Sequence, residues 1–179
     1  MIERKKGSKV PGKKISQIRQ EAAQIREALG LKMKKINMVY LIEFILPKFL
    51  PDFSYEVLES GEMGIDEART YPDKQLIFIR DDVYQKATSG DRRAQFTLAH
   101  ELGHLVMHSG LRNSRSFARN SEQHKVYEDS EWQADTFAAE FLMPYAVAIN
   151  LTGPDEIFEK FGVSKKAAET RYEKINRVR

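Results

Sequence analysis

The segment that most restricts the fold of this chain runs from residue 96 to residue 107, where apolar side chains recur at the spacing of one helix face. The stripe consists of Phe96, Ala99, Leu102, Val106 and Met107, with Leu98 and Leu105 beside it. Ser89-Gly90-Asp91 before the run is a helix-start signal, and Ser109-Gly110 after it is a stop signal. The sequence therefore predicts a buried amphipathic helix. Because Gly103 within it costs about 1 kcal/mol relative to alanine, we expect another element to pack closely against that turn.

Two histidines lie four residues apart on this helix, and a glutamate directly follows the first of them. An α-helix turns about 100° per residue, so His100 and His104 share one face and are close enough to bind one metal ion. Glu101 lies about a quarter-turn from His100 and can face a metal-bound water without binding the metal. This pattern is typical of zinc-protease helices. The alternative is a core helix whose histidines form only hydrogen bonds.

A catalytic zinc ion usually takes three protein ligands and keeps one position open for water, so a third ligand is needed. A third histidine six residues after His104, the pattern of the metzincin class, would fall on Gly110, which excludes that class. His108 lies one turn beyond His104, but three histidines along a straight helix span about 12 Å, too far to meet at one ion. We expect His108 at the helix end or beside a ligand, and His124 in solvent.

Glu131 is the stronger candidate, and Asp135 follows it by one helical turn, so the two carboxylates share a face. One carboxylate could bind the metal while the other accepts a hydrogen bond from the far nitrogen of a ligating histidine. The alternative is that both acids simply favour the N-terminus of a helix, where negative charge is stabilised. Glu140 is the second choice as a metal ligand, because we expect it to face solvent or to pair with a basic residue.

The composition is typical of a single globular domain, with 179 residues of which 41% are hydrophobic. The absence of cysteine excludes disulfides, cysteine zinc ligands and a cysteine nucleophile. The N-terminus is basic but lacks the apolar core of a secretory signal. The longest apolar stretch, residues 38–47, is short and contains Glu43. We therefore expect a cytoplasmic protein without a membrane span.

Positive charge is concentrated near the N-terminus. Residues 1–35 hold 11 Lys and Arg against 3 Asp and Glu, a net charge of +8, so residues 36–179 carry −5 of the total charge of +3. We predict a basic flexible arm over residues 1–14 and one domain over residues 15–179. Such an arm could bind nucleic acid or an acidic partner, but a solvated tail is the more common role of such a segment.

Periodicity and turn signals predict an α+β fold, a small and mainly helical domain with a short sheet beside the metal helix. The predicted helices span residues 15–29, 37–50, 131–142, 155–161 and 164–175, the last two forming a C-terminal pair within residues 154–176. The predicted strands span residues 53–58 and 75–80, and the second precedes the metal helix by a short connection. Gly61 and Gly64 predict a turn, and residues 110–130 a polar loop.

The chain resembles the ImmA/IrrE-type metallopeptidases over about residues 60–176. The resemblance lies in residues 93–104, in residues 131–144 with the ending Phe-Ala-Ala-x-Phe-Leu-Met-Pro, and in Phe161-Gly162-Val163-Ser164. It implies His100, His104 and Glu131 as zinc ligands. It also implies Glu101 as the catalytic glutamate of a bacterial or phage regulatory protease that cleaves a helix-turn-helix repressor.

On this hypothesis, a zinc ion lowers the pKa of a bound water toward about 7, and Glu101 takes the proton of that water and passes it to the leaving nitrogen. Asp135 is expected to orient a ligating histidine by accepting a hydrogen bond from the ring nitrogen that does not bind the metal. The strand at residues 75–80 is expected to pair with an extended substrate by strand addition. An oxyanion donor is also needed, and the sequence does not rank the candidates Tyr84, His124, Tyr127 and Tyr145.

Two other functions are compatible with these residues. The turn at residues 161–164, together with the terminal Lys174, Arg177 and Arg179, could be a DNA-recognition unit. The apolar residues of the last predicted helix favour core packing over DNA contact. In the third interpretation, the fold binds its metal for sensing or partner binding without catalysis.

Overall fold

The computed structural model describes residues 7–31, 35–111 and 124–177. Residues 1–6 of the predicted arm, residues 112–123 of the predicted polar loop and Arg179 lie outside the described residues. The described part is mainly helical and contains a three-stranded sheet, which confirms the predicted α+β class. In this part of the chain, no helix combines the length and the apolar character needed to cross a bilayer.

Most of the helices and strands lie where the sequence predicts them. The α-helices are α1 (Ile15–Ala28), α2 (Met38–Tyr40), α3 (Leu46–Phe49), α4 (Ser60–Met63), α5 (Asp81–Thr88), α6 (Arg92–Met107), α7 (Ser130–Leu142), α8 (Tyr145–Ala148), α9 (Pro154–Phe161) and α10 (Lys165–Asn176). The strands are β1 (Ser54–Leu58), β2 (Ala68–Tyr71) and β3 (Leu76–Arg80). A π-helical segment (Leu41–Ile45) joins α2 to α3, and 3₁₀ turns lie at Pro72–Lys74 and Val126–Glu128.

The sheet has the strand order β1-β3-β2, with β1 parallel and β2 antiparallel to the central β3. Ile77 and Ile79 of β3 are fully buried, and their partners in the β2 register are Thr70 and Ala68. Because residues directly opposite each other in a ladder share a face, Thr70 and Ala68 point toward the helices as well. The sequence did not predict β2, since its four residues, Ala-Arg-Thr-Tyr, are too few for a clear alternation.

Two connections differ from the predictions. The link between β3 and the metal helix is the eight-residue helix α5 instead of a short connection. Its start is stabilised by two acidic residues in the first turn. The helical segment predicted over residues 37–50 forms over residues 38–49, but its middle, Leu41–Ile45, is π-helical. In the π-helical segment, the Leu46 N–H donates to the Leu41 carbonyl. Pro47 then lies in the first turn of α3, where no N–H donor is needed.

The core is centred on α6 and α7, which pack against each other. Helix α1 packs on α7, while β2 and α5 pack on α6. Leu98 and Leu102 of α6 and Phe137 and Phe141 of α7 are fully buried, and the two phenyl rings stack with their centroids 5.4 Å apart. Burying one such side chain stabilises a fold by about 1.5–3 kcal/mol. The contact between these two helices is therefore a major source of stability.

A buried ion pair fixes the C-terminal helices to α7. The Arg171 guanidinium of α10 donates to both carboxylate oxygens of Glu140, at 2.8 and 2.6 Å, and to the Met143 carbonyl at 2.7 Å. Arg19 of α1 adds a contact to Glu140 at 3.3 Å. The side chains of Glu140 and Arg171 are only 1% and 5% exposed. Glu140 thus pairs with basic residues, as expected.

Residues 7–13, named the N-terminal strap below, are packed against the start of α7 although the sequence predicts a flexible arm there. Val10 is buried, and its N–H donates to the Glu128 carbonyl at 2.8 Å. The Ser8 N–H donates to the Ser130 hydroxyl at 3.0 Å, and the Ser130 N–H donates back to the Ser8 carbonyl at 3.0 Å. Backbone groups make these contacts, so the basic side chains that suggest flexibility do not reveal them.

Replacing Arg171 by leucine should lower the free energy of unfolding by about 3–5 kcal/mol, because Glu140 would keep a buried charge without its main partner. The double variant Arg171→Leu/Glu140→Leu should regain most of that loss, since it leaves no buried charge behind. Urea denaturation measures the free energy of unfolding of both variants and of the wild type.

Arg177→Leu, at the residue that directly follows the same helix, is the matched control. Arg177 pairs with Glu173, and these side chains are 79% and 63% exposed, so the free energy of unfolding should change by less than about 0.5 kcal/mol. An Arg171→Leu protein as stable as the wild type would contradict the role assigned to the buried pair.

Candidate metal centre

Helix α6 carries the two histidines and begins at the predicted signal. Asp91 is the residue before its first turn, and the Asp91 carboxylate accepts a hydrogen bond from the Ala94 N–H at 2.8 Å. Gly103 lies against α7, where an added Cβ would lie 3.2 Å from both the Cα atom and the carbonyl oxygen of Ala134. The close packing expected at this glycine is confirmed. It brings the first turn of α7, with Glu131, beside the histidines.

Three side chains from α6 and α7 converge on one point. The Nε2 atoms of His100 and His104 are 3.0 Å apart. Oε2 of Glu131 lies 3.4 Å from the His100 Nε2, and Oε1 of Glu131 lies 3.3 Å from the His104 Nε2. In a tetrahedral site with zinc–ligand bonds of about 2.0–2.1 Å, the donor atoms are about 3.3 Å from one another. The observed separations are compatible with one metal ion bound by the three side chains.

Asp135 lies behind His100, on the side away from this point. The His100 Nδ1 is 2.8 Å from Oδ1 of Asp135. Since a carboxylate accepts, the proton of a neutral His100 ring is on Nδ1, and its Nε2 presents a lone pair to the other donor atoms. Residue spacing alone does not assign the two acids, whereas the family resemblance implies Glu131 as the metal ligand. The structure puts Glu131 among the donor atoms and Asp135 on the far nitrogen.

Burial and mutual contacts shift the pKa values of His100 and Glu131. Burial lowers the pKa of His100, but hydrogen bonds to Asp135 and Glu131 outweigh burial and raise this pKa to about 10. Burial also raises the pKa of Glu131, yet the close imidazoles of His100 and His104 outweigh burial and hold this pKa well below its usual range. A proton on His100 thus balances nearby negative charge. A divalent cation among the same atoms would take the place of that proton.

Glu101 is held by the sheet. It is buried, and the hydroxyl of Thr70 on β2 donates to its Oε2 at 2.6 Å. Glu101 borders the same cleft as His100 and Glu131, so its carboxylate lies beside the converging donor atoms. No sequence pattern marks Thr70, because β2 has no clear strand signal and a single hydroxyl has no characteristic spacing.

An open cleft runs between the edge of the sheet and the two helices. Its described walls are residues 65–68 on the sheet side and Phe96, Thr97, His100, Glu101, Glu131 and Asp135 on the helix side. The strand predicted to bind a substrate, at residues 75–80, is β3. That prediction is wrong, because β3 is the central strand and both its edges are already paired. The edge strand beside the cleft is β2.

The two remaining histidines are both engaged by the protein. His108 is buried beside His104, as expected, with the two Nδ1 atoms 3.0 Å apart. Burial lowers the pKa of His108 to about 4. His124 lies 2.8 Å from Oδ2 of Asp129 and is only 10% exposed. The expectation of a solvated His124 is therefore wrong, because the buried carboxylate that caps α7 attracts it.

The candidates for an oxyanion donor lie elsewhere. The Tyr84 hydroxyl donates to Glu43. The centroid of the Tyr145 ring lies 3.6 Å from Cζ of Arg19 in α1. His124 is held as just described, and Tyr127 borders the N-terminal strap and α1. Within the part of the chain that the structure describes, none of the four lines the cleft.

Comparison with protein families identifies the class of this domain. The family model of the IrrE N-terminal-like domain, peptidase family M78, matches residues 58–173, which is more than half of the chain. The chain belongs to the IrrE N-terminal-like peptidase family. The resemblance inferred from the sequence is thereby confirmed. The matched range of this IrrE-like domain includes both histidines of α6, Glu101, Glu131 and Asp135.

Among solved structures, the IrrE-like chain is similar to a Mycobacterium tuberculosis transcriptional regulator, with a TM-score of 0.54 and 17% sequence identity. The similarity covers 86% of this chain and 45% of that protein, so the chain spans less than half of the regulator's length. At this level of identity, the similarity concerns the fold. No curated protein matches the chain.

Replacing Gly103 by valine should push α6 away from α7, because the new side chain would meet the backbone of Ala134, which moves only with its helix. We expect the free energy of unfolding to fall by about 1–3 kcal/mol. Zinc binding, measured by isothermal titration calorimetry, should weaken because Glu131 would move away from the histidines.

Gly61→Ala is the matched control, because a Cβ added at residue 61 would meet no atom within 4 Å. This variant should keep the zinc affinity of the wild type and a similar or slightly higher stability. If folded Gly103→Val protein binds zinc as tightly as the wild type, the approach of the two helices does not set the geometry of the site.

Proposed function

We propose that the protein is a zinc-dependent endopeptidase. The observation that carries the proposal is the convergence of the His100, His104 and Glu131 donor atoms, at the spacing of a tetrahedral site, in a cleft that also contains Glu101. Membership of a peptidase family supports the same class of reaction. Imidazole and carboxylate ligands also suit manganese or iron, so the choice of zinc rests on the tetrahedral spacing.

A zinc ion held by these three residues would supply a water of lowered pKa and polarise the scissile carbonyl. Glu101 takes the proton from the attacking water and delivers it to the leaving nitrogen. Thr70 donates to Oε2 of Glu101 and thereby orients Oε1 for the proton. Asp135 accepts from the far nitrogen of His100, which keeps the His100 Nε2 lone pair directed at the cation.

The substrate peptide is proposed to lie along the outer edge of β2. This edge strand borders the cleft, and edge strands bind extended peptides through main-chain hydrogen bonds. Ile65, which is 93% exposed at the same end of the cleft, offers an apolar contact to a substrate side chain. Cleavage in this geometry requires a substrate segment that can become extended.

The proposed substrate is a DNA-binding repressor of the helix-turn-helix class, which the enzyme would meet in the cytoplasm. The family resemblance supports this choice of substrate. The similarity in fold to a protein described as a transcriptional regulator is compatible with it. Cleavage of such a repressor would relieve repression, so the activity would be regulatory.

Direct DNA binding by the C-terminal helices is less well supported. Phe161, Val163 and Ala168 around the candidate turn are buried, and the Tyr172 hydroxyl donates to the Thr152 carbonyl at 2.7 Å. These contacts favour core packing of α9 and α10 over a recognition helix. A salt-dependent mobility shift with duplex DNA, lost on deleting residues 154–179, would favour the DNA-binding alternative.

The Glu101→Gln protein should bind one zinc ion yet leave the repressor intact, because an amide cannot take the proton from water. Zinc content by elemental analysis and cleavage of a purified helix-turn-helix repressor on a gel measure the two properties. Treating the wild type with a chelator should abolish cleavage, and added zinc should restore it.

Full cleavage by the Glu101→Gln protein would remove this residue from the mechanism. A wild-type protein that binds zinc but cleaves no repressor would favour the non-catalytic alternative, in which the metal serves sensing or partner binding.

The Thr70→Val protein should lose about tenfold in kcat, because the Glu101 carboxylate loses the hydrogen bond that orients it. Its zinc content should equal that of the wild type. Thr88→Val is the matched control, since Thr88 is exposed on α5 and its hydroxyl donates to the Tyr84 carbonyl of the same helix. Equal kcat values for Thr70→Val and wild type would show that Thr70 does not position Glu101.

A further inference from the structure

The Nδ1 atom of His104 faces away from the other donor atoms and lies beside another histidine. The Nδ1 atom of His100, by contrast, lies beside the carboxylate of Asp135. The Nδ1 atoms of His104 and His108 are 3.0 Å apart. Two imidazole nitrogens at this distance share one proton, so one ring donates and the other accepts. Which of the two donates is decided by the contact on the other side of His108.

That contact is made by Gln133 of α7. The His108 Nε2 lies 3.2 Å from Oε1 of Gln133. The Gln133 amide nitrogen donates to the Pro11 carbonyl at 2.9 Å and to the Tyr127 carbonyl at 2.8 Å. Since carbonyls only accept, the nitrogen of this amide must face them, and its oxygen must face His108.

The proton positions then follow along the whole chain of contacts. His108 donates from Nε2 to the amide oxygen, and in a ring with a single N–H the Nδ1 is then an acceptor. His104 must therefore donate from Nδ1, which leaves its Nε2 unprotonated. That Nε2 is the atom that lies 3.0 Å from the His100 Nε2 and 3.3 Å from Glu131.

We propose that His108 and Gln133 are positioning residues of the metal centre. With the Pro11 and Tyr127 carbonyls, they form a hydrogen-bonded relay that holds His104 in the tautomer whose Nε2 faces a zinc ion. The relay rests on the zinc site proposed above. Gln133 is fully buried, so its amide has no solvent to replace these partners if the relay is broken.

The relay ends in the N-terminal strap, outside the family-matched residues 58–173. The strap is held in place by the Lys13 N–H, which donates to the Tyr127 carbonyl at 3.0 Å. Its other end touches a second proposed ligand, because a Cβ on Gly7 would lie 2.7 Å from Cγ of Glu131. Part of the support of this metal centre thus comes from residues that precede the family domain.

The tautomers can be measured directly on the zinc-loaded wild-type protein. Long-range proton–nitrogen correlation spectra of histidine-labelled protein should show His108 protonated at Nε2 and unprotonated at Nδ1. His104 should be protonated at Nδ1. A neutral His108 ring with its proton on Nδ1, or a doubly protonated ring, would overturn the relay.

Variants test the relay through zinc affinity, measured by competition with a chromophoric chelator. Gln133→Met removes both polar ends of the amide at similar volume, and His108→Leu removes the acceptor for His104. Each should weaken zinc binding about 10-fold to 100-fold. His108→Asn keeps an acceptor near the place of Nδ1 and should recover much of the affinity lost in His108→Leu.

Arg26→Met is the matched control for loss of a buried polar group. Arg26 is buried and donates to the Phe141 carbonyl of α7 at 2.6 Å, so this variant should lower stability and keep the wild-type zinc affinity. If folded Gln133→Met and His108→Leu proteins bind zinc as tightly as the wild type, the relay alone is overturned. A wild-type protein that binds no zinc would instead overturn the site, and with it the proposed function.

Discussion

The close contact between α6 and α7 is the constraint on which the site depends. Two of the converging donor atoms come from one helix and the third from the other, so their separation is set by how near the helices approach. The lack of a side chain at Gly103 allows the backbone at Ala134 to come within van der Waals contact. Buried Leu98 and Leu102 and the stacked rings of Phe137 and Phe141 secure that approach. The geometry of the candidate metal centre is thus a property of core packing.

The sheet contributes the rest of the cleft. Central strand β3 buries Ile77 and Ile79 against the helices, and this burial fixes the position of its neighbour β2. The strand with the clearest sequence pattern is therefore structural, because it is central and paired on both edges. The strand that reaches Glu101, through Thr70, has the weakest pattern. A clear strand pattern in the sequence marks a strand that is buried. An edge strand beside a cleft, such as β2, can be functional with few buried side chains and therefore with a weak pattern.

Much of the fold and part of the site are predictable from the sequence. Helical periodicity locates α1, α6, α7, α9 and α10, and residue spacing places His100, His104 and Glu101 on one helix. Spacing also pairs Glu131 with Asp135, but only the packing of α7 on α6 shows which acid lies among the donor atoms. Contacts between distant elements have no characteristic spacing. The hydroxyl of Thr70 and the backbone hydrogen bonds of the N-terminal strap therefore leave no trace in the sequence pattern.

The N-terminal strap has a consequence for the order in which the protein forms. The Gly7 N–H donates to the Asp129 carboxylate, 122 residues further along the chain. Contacts between residues so far apart close a long loop and form late in folding. The strap leaves the ribosome well before α7, so it must wait, unpaired, until most of the polypeptide has been synthesised. The candidate metal centre of a nascent chain consequently lacks the support of the strap until α7 has been synthesised.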